Sequence, residues 1–406
     1  MKERLLIIGA GMASAYLLQE LQQYSHDLDI TLVGEEEQGC YNRVLLSSVL
    51  AGEKQIEDLT MLDCETSQNI NRISGLKIER INTTNKVAVS HLGTQYAYDK
   101  LVLATGSRVA LPPIANLHLE GIEVFRSIED TLHLQSLESK HRSAIVVGGG
   151  LLGLEAAHGL NAQGFATTVV HRNPHLMNRQ LDSRGSELLE TLLTKKGIGF
   201  HLATEISQLH HCDRKINAVS LTNGDYLACD LLLFATGIEP NTTLAKESNI
   251  SVDKGIPVTA AMESSAPHIY ALGECSQMGK ECFGLVAPIR AQATVLARQL
   301  AGLEAGEYTS EKWPTTLKIS GIDIFSAGTL DENAQSIVLN APSLGIYRRL
   351  VIEDNRLIGA VLVGDKRHGG WYSELIKQQA DISNVRSTLM FGPQDTQEQP
   401  RHDIAA

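Results

Sequence analysis

None of the six cysteines, at positions 40, 64, 212, 229, 275 and 282, stands in a CxxC pair or at zinc-ribbon spacing. That spacing argues against a disulfide framework, and the run His210–Cys212 lacks the second ligand pair of a metal site, so no metal centre is expected. Long apolar runs are also missing. No 18 consecutive uncharged apolar residues occur, so no membrane-spanning helix is predicted. Positive charge is in deficit: 35 Lys and Arg against 47 Asp and Glu give a net charge of −12. A chain that binds nucleic acid through its phosphates needs the opposite balance. Scattered thiols and the absence of a targeting segment make the cytoplasm the expected location.

What is present is an ordinary globular composition, 43% apolar and 20% charged, over 406 residues, enough for two to three domains. The opening stretch LLIIGAGMASAYLLQEL, Leu5 to Leu21, reads in two ways. A secretory signal needs an unbroken apolar core of about 7 to 15 residues. Here Gly9 and Gly11 interrupt the run, and Gln19 and Glu20 end it. The same residues suit a short buried strand, a tight glycine turn and a helix.

That strand–turn–helix device occurs twice. In the first copy, Gly9 and Gly11 are followed by Ala13 and Ser14, where close packing of helix on strand requires a small side chain. Glu35 ends the next strand, about 25 residues after Gly9, where an acid bonds a ribose hydroxyl. Its neighbours Glu36 and Glu37 leave the register open by one. The second copy carries Gly148, Gly150 and Gly153, then a helix, then the strand ATTVVHR. A pyrophosphate suits such helix N-termini, where free N–H groups and the macrodipole favour an anion. His171 and Arg172 stand where an NAD-selective site places a carboxylate. A cation there accommodates a 2′-phosphate, whereas an Arg172 turned to solvent would leave NADH and NADPH equally open. Two dinucleotide folds in one chain imply two dinucleotides, and a flavin with a nicotinamide is the pair that need each other chemically.

At this point the chain resembles the FAD-dependent pyridine nucleotide reductases. YDKLVLATGSRVALPP, with Ala104, Thr105 and Gly106, and DLLLFATGIEPNTTL, with Ala235, Thr236 and Gly237, are similar to that family's paired ATG motifs. SSAPHIYALGECS, with Gly273 and Glu274, resembles its late flavin motif, whose acid bonds the ribityl chain; Glu replaces the more usual Asp. A narrower resemblance lies in CYNRVLLSSVLAGE, HLMNRQLD, FGLVAPIRAQATVLARQLAG, KISGIDIFSAG and LIGAVLVGDKRHGGWYSELI. These are similar to the flavin-binding part of NAD(P)H nitrite reductase large subunits, to the electron-transfer subunit of assimilatory nitrate reductase and to rubredoxin reductases.

The resemblance implies an α/β fold with two Rossmann-like dinucleotide-binding domains and a small α+β C-terminal domain. Residues 1–110 and 241–310 would bind FAD, 111–240 NADH or NADPH, 311–392 would form the C-terminal domain, and 393–406 a polar tail. The last domain would serve dimerisation or interdomain packing. With no four-thiolate set in these residues, no iron–sulfur centre is expected, and the electron acceptor would be a separate redox protein: a nitrate or nitrite reductase, a rubredoxin or a ferredoxin.

The resemblance also places Arg43 and Ser47 in the loop approaching the flavin, with Arg43 stabilising reduced flavin as preorganised donors stabilise developing charge. Glu155 would face the nicotinamide, or else be an acid held by the helix dipole. Arg126 would be an interdomain residue near the flavin. Ser48 stands where ferredoxin reductases carry a lysine, so a Lys–Glu pair with Glu155 is not expected. Cys40 raises the rival of a thiol enzyme like the coenzyme A disulfide reductases, with a thiolate activated by Arg43.

Overall fold

A computed structural model of the chain describes residues 2–62, 70–139, 142–304, 306–309, 314–319 and 321–393. Cys64 and nearly all of the tail lie outside the described residues.

The strand Glu3–Ile8 buries Leu5, Leu6, Ile7 and Ile8 together, the pattern of a parallel strand covered on both faces. It is the centre of a five-stranded parallel sheet, in the order Ile269–Ala271, Lys100–Leu103, Glu3–Ile8, Leu28–Val33, Ile70–Ile73. Successive side chains point to opposite faces. Leu5 and Ile7 therefore join the core beneath the helices Met12–Leu21 and Val286–Leu300, which pack on each other. Leu6 and Ile8 join a second core under the antiparallel strands Ile78–Asn82, Val87–Ser90 and Gln95–Ala97.

The second half repeats this plan. Gly199–Leu202, Ala166–His171, Ser143–Val147, Leu231–Phe234 and Ile122–Val124 form another five-stranded parallel sheet. Ala144 and Val146 face the helix Leu151–Ala162, and Ile145 faces the antiparallel strands Ile206–Cys212, Lys215–Leu221 and Tyr226–Ala228. The chain completes this sheet before adding Ile269–Ala271 to the first, so the first half is discontinuous in sequence. Where the chain crosses between halves, Ser107–Val109 pairs antiparallel with Ile238–Pro240.

The last described segment is a five-stranded antiparallel sheet, Thr315–Ile319, Ile322–Gly328, Arg356–Val363, Ile346–Glu353 and Ser336–Ala341, with the helix Gly369–Gln378. One face, with Ile322, Ile324, Tyr347, Val361 and Val363, merges with the core of the second half. The other, with Phe325, Leu350, Ala360 and Leu362, is covered by Tyr372 of the helix. No helix among the described residues is long and apolar enough to cross a membrane.

Candidate functional site

Both glycine turns open into one cleft of about 3310 Å3. Gly9 has φ +109°, and a Cβ there would lie 2.1 Å from the Ala104 carbonyl oxygen. Gly148 has φ +130°, and a Cβ would lie 2.3 Å from the Ala235 carbonyl oxygen. Each ATG motif is thus the strand end against which the first glycine of its turn rests. Gly11 and Gly150 differ: a Cβ would meet nothing within 4 Å. Each is the N-cap of its helix with no side-chain cap, and neither helix has an acid in its first turn. Two bare helix N-termini therefore face the cleft, each a ready anion site.

Several expected residues support the turns from behind. Ser14 is fully buried and its hydroxyl donates to the Gly9 carbonyl. A Cβ on Gly153 would sit 2.0 Å from the Gly148 carbonyl oxygen, so this glycine lets helix and turn close on each other. Gly273, at φ +81°, packs against Ala13, and its N–H donates to Gln292 Oε1 at 2.9 Å. Thr105 and Asn241 exchange two hydrogen bonds of 2.9 Å, which fasten one crossing between the halves. Thr236 donates to the Ala110 carbonyl at the other. Gly106 and Gly237, at φ +65° and +114°, line the cleft beside these threonines.

The acidic stretch after Leu28–Val33 divides its roles. Glu35 lines the cleft and is exposed, 3.4 Å from Lys77. Glu36 accepts from Tyr41 at 2.7 Å and pairs with Arg43. Arg43 stacks 4.8 Å from the Tyr41 ring centre and donates to the Arg126 carbonyl. Its charge is already met by Glu36, so it acts as a tie between the halves as well as a cleft cation. Arg126 in turn donates to Ser107 at 2.8 Å and to Glu274, while its N–H reaches Asp130 at 2.8 Å. Ser107 also donates to Glu274 Oε2, at 2.8 Å. Among the described residues, the side-chain donors to Glu274 all use Oε2, which leaves Oε1 for a ligand. Sequence reasoning passed over Ser107, Asp130 and Asn241. Ser107 follows the first ATG motif directly and Asn241 stands four residues after Gly237 of the second, positions that could have drawn attention to them.

In the second half, His171 and Arg172 separate. His171 turns inward, 9% exposed, and its Nδ1 accepts from the Gly149 N–H at 3.0 Å. Burial, with Arg172 adding to it, lowers its pKa, which suits the neutral acceptor role. It shapes the turn from within. Arg172 is exposed on the cleft, joined by Arg179, a cation the sequence reading did not single out. Neither makes an ion pair among the described residues.

Glu155 lines the cleft from the helix Leu151–Ala162. It lies beyond the first turn, too deep for the end amides to hold it as a carboxylate. Burial pushes its pKa from 4.5 up to about 7, with Ser47 hydrogen-bonded to it in opposition and Glu53 adding to the rise. Ser47 does not reach the cleft itself. Cys40 is 1% exposed in the core of the first half and does not line the cleft.

Comparison with known proteins agrees with this architecture. Residues 3–295 match the family profile of pyridine nucleotide-disulphide oxidoreductases, and residues 314–380 match the rubredoxin NAD+ reductase C-terminal domain. The chain is 37% identical to nitrite reductase [NAD(P)H] of Bacillus subtilis (strain 168), over 97% of this chain and 49% of that protein. It is 35% identical to the assimilatory nitrate reductase electron transfer subunit of the same organism, over 96% of this chain and 51% of that protein. The chain thus spans about half the length of these relatives. NADH:rubredoxin oxidoreductase from Clostridium acetobutylicum superposes with a TM-score of 0.77 at 24% identity, covering 96% of this chain and 100% of that one. Profile, relatives and fold converge, and the chain belongs to the pyridine nucleotide-disulphide oxidoreductase family.

Proposed function

We propose that this chain is an FAD-dependent NAD(P)H oxidoreductase that passes electrons to a separate redox protein, serving assimilatory nitrate or nitrite reduction. The observation that carries the reading is the duplicated bare glycine turn opening into one cleft. Residues 1–110 and 241–310, which build the first sheet, would hold FAD. Its pyrophosphate fits the open space at Gly11, a ribose hydroxyl fits Glu35, and Glu274 Oε1 is an acceptor for the ribityl chain. Residues 111–240 would hold NAD(P)H, with the pyrophosphate over Gly150 and a 2′-phosphate between Arg172 and Arg179. FAD, when bound, supplies the exchange between two-electron and one-electron chemistry. The protein's part is to orient and to exclude water. Arg43, Arg126 and Ser107 lace the halves together around Glu274, and Glu155 offers a carboxyl that exchanges its proton near neutral pH.

Nitrate or nitrite assimilation is supported by the names of the relatives, and a rubredoxin-like acceptor by the match over residues 314–380. Cys40, enclosed in the core, speaks against the thiol-enzyme alternative. The test is an anaerobic titration of the yellow protein with NADPH and NADH, with and without thiol alkylation. Bleaching of the flavin band after about one equivalent, indifferent to alkylation, is expected for hydride transfer to a single two-electron centre. A requirement for about two equivalents, abolished by alkylation, would point to a redox thiol and sink the proposal.

A further inference from the structure

We propose that Glu155, Glu53 and His158 form the route by which a proton passes between the cleft and solvent. The inference rests on the function proposed above, because it concerns what that electron transfer leaves behind. Oxidation of one NAD(P)H breaks a C–H bond of the nicotinamide and yields NAD(P)+, one proton and two electrons. When the electrons go singly to two one-electron acceptors, such as iron–sulfur proteins, the proton stays and has to leave by another path.

The three groups run in order from the cleft wall to the surface. Glu155 lines the cleft; Glu53 and His158 do not. His158 follows Glu155 by three positions on the same helix, so the two share a face. The His158 side chain is 25% exposed, and its Nε2 lies 3.8 Å from Oε1 of Glu53, whose side chain is 60% exposed. His158 Nδ1 is buried with no hydrogen-bond partner, a position unexplained by a purely packing role. Glu155 makes no ion pair among the described residues; with Ser48 in place of a lysine, the loop offers it only the Ser47 hydroxyl.

The surrounding charges favour exchange. Burial and Glu53 raise Glu155 to about 7, and burial holds His158 below its ordinary value, with Glu53 opposing and Lys196 reinforcing. Of the other elements against this helix, Leu46–Leu50 contributes only the neutral Ser47 and Ser48, and the strand Thr315–Ile319 carries one charged residue, Lys318. His171 is held at the far end, under Gly149.

The experiment uses the whole 406-residue chain loaded with FAD, reduced with one equivalent of NAD(P)H and mixed by stopped flow with ferricyanide in weakly buffered indicator dye. Return of the flavin colour reports electrons leaving, and the dye reports the proton. In the unaltered protein the two signals keep pace; in Glu155→Gln and His158→Gln the dye lags by about tenfold or more, and added imidazole shortens the lag in His158→Gln. A second readout needs no turnover: histidine NMR should show the His158 titration midpoint shifting in both Glu53→Gln and Glu155→Gln. Signals that keep pace in both variants, or a His158 midpoint indifferent to both neighbours, would overturn the route while leaving the proposed function intact. An unaltered protein that NAD(P)H does not bleach would overturn the function, and the route with it.

Discussion

Glu155 is a carboxyl whose proton the folded protein binds more tightly than the unfolded chain does. The sign follows from that: its contribution to stability is complete below 4.5 and is lost as pH rises through about 7. Glu155→Gln keeps the shape and removes the titration. We expect the variant to gain on the unaltered protein across that window by on the order of 3 kcal/mol, read as a divergence of urea midpoints with pH. Parallel midpoints would mean the carboxyl is solvated. At Arg172, replacement by Glu should raise the Michaelis constant for NADPH over that for NADH by about ten- to a hundredfold, the worth of one charge-assisted hydrogen bond. Equal changes in both constants would remove Arg172 from cofactor choice. Residue roles were the least legible part of the sequence. Spacing named the run Glu35–Glu37, but it does not show that Tyr41 and Arg43 take Glu36 while Glu35 stands exposed beside Lys77. For His171 the sequence supplied the position along the strand but not the direction of the ring, whose Nδ1 accepts from the Gly149 N–H at the cleft wall.

Elements were far more legible, because each glycine turn has a local cause. Gly9 and Gly148 need positive φ, and strand, turn and helix follow in a fixed order that periodicity reveals. The separate tasks of the glycines give a paired prediction. Gly153→Ala drives a Cβ into the Gly148 carbonyl and should cost roughly 1–3 kcal/mol of stability, seen in thermal or urea unfolding. Gly150→Ala meets open space at φ −86°. It should unfold like the unaltered protein yet bind NAD(P)H more weakly by titration, since the added methyl occupies the anion cradle. The opposite pattern, with Gly150→Ala unstable and Gly153→Ala silent, would contradict the geometry. The ATG motifs were visible only by resemblance, since their contact with Gly9 and Gly148 spans about 90 residues of chain and leaves no periodic trace.

At the scale of the whole molecule, the last sheet is bound to the second half by more than apolar contact. Asp182 caps the helix Ser183–Thr194 through the Gly185 N–H at 2.9 Å and accepts from the Tyr347 hydroxyl at 2.6 Å. Arg349 lies 3.5 Å away, and both charged side chains are at most 5% exposed. Tyr347→Phe should lower stability by about 1–3 kcal/mol in urea unfolding, because a buried carboxylate loses a donor. Flavin content should stay unchanged, and its loss would show that this anchor also holds the shape of the cleft. The sequence left packing and dimerisation open for this segment. What it could not display was that Ile322, Ile324, Val361 and Val363 alternate toward another domain's core and not toward solvent.

The antiparallel pairing of Ser107–Val109 with Ile238–Pro240 makes the two connections between halves a single ribbon. Neither half could slide along that ribbon without breaking its ladder hydrogen bonds. The second half also enters and leaves at adjacent points, so it is a module inserted through one doorway. Rotation about that doorway would open or narrow the cleft while each glycine turn stays fixed to its own sheet.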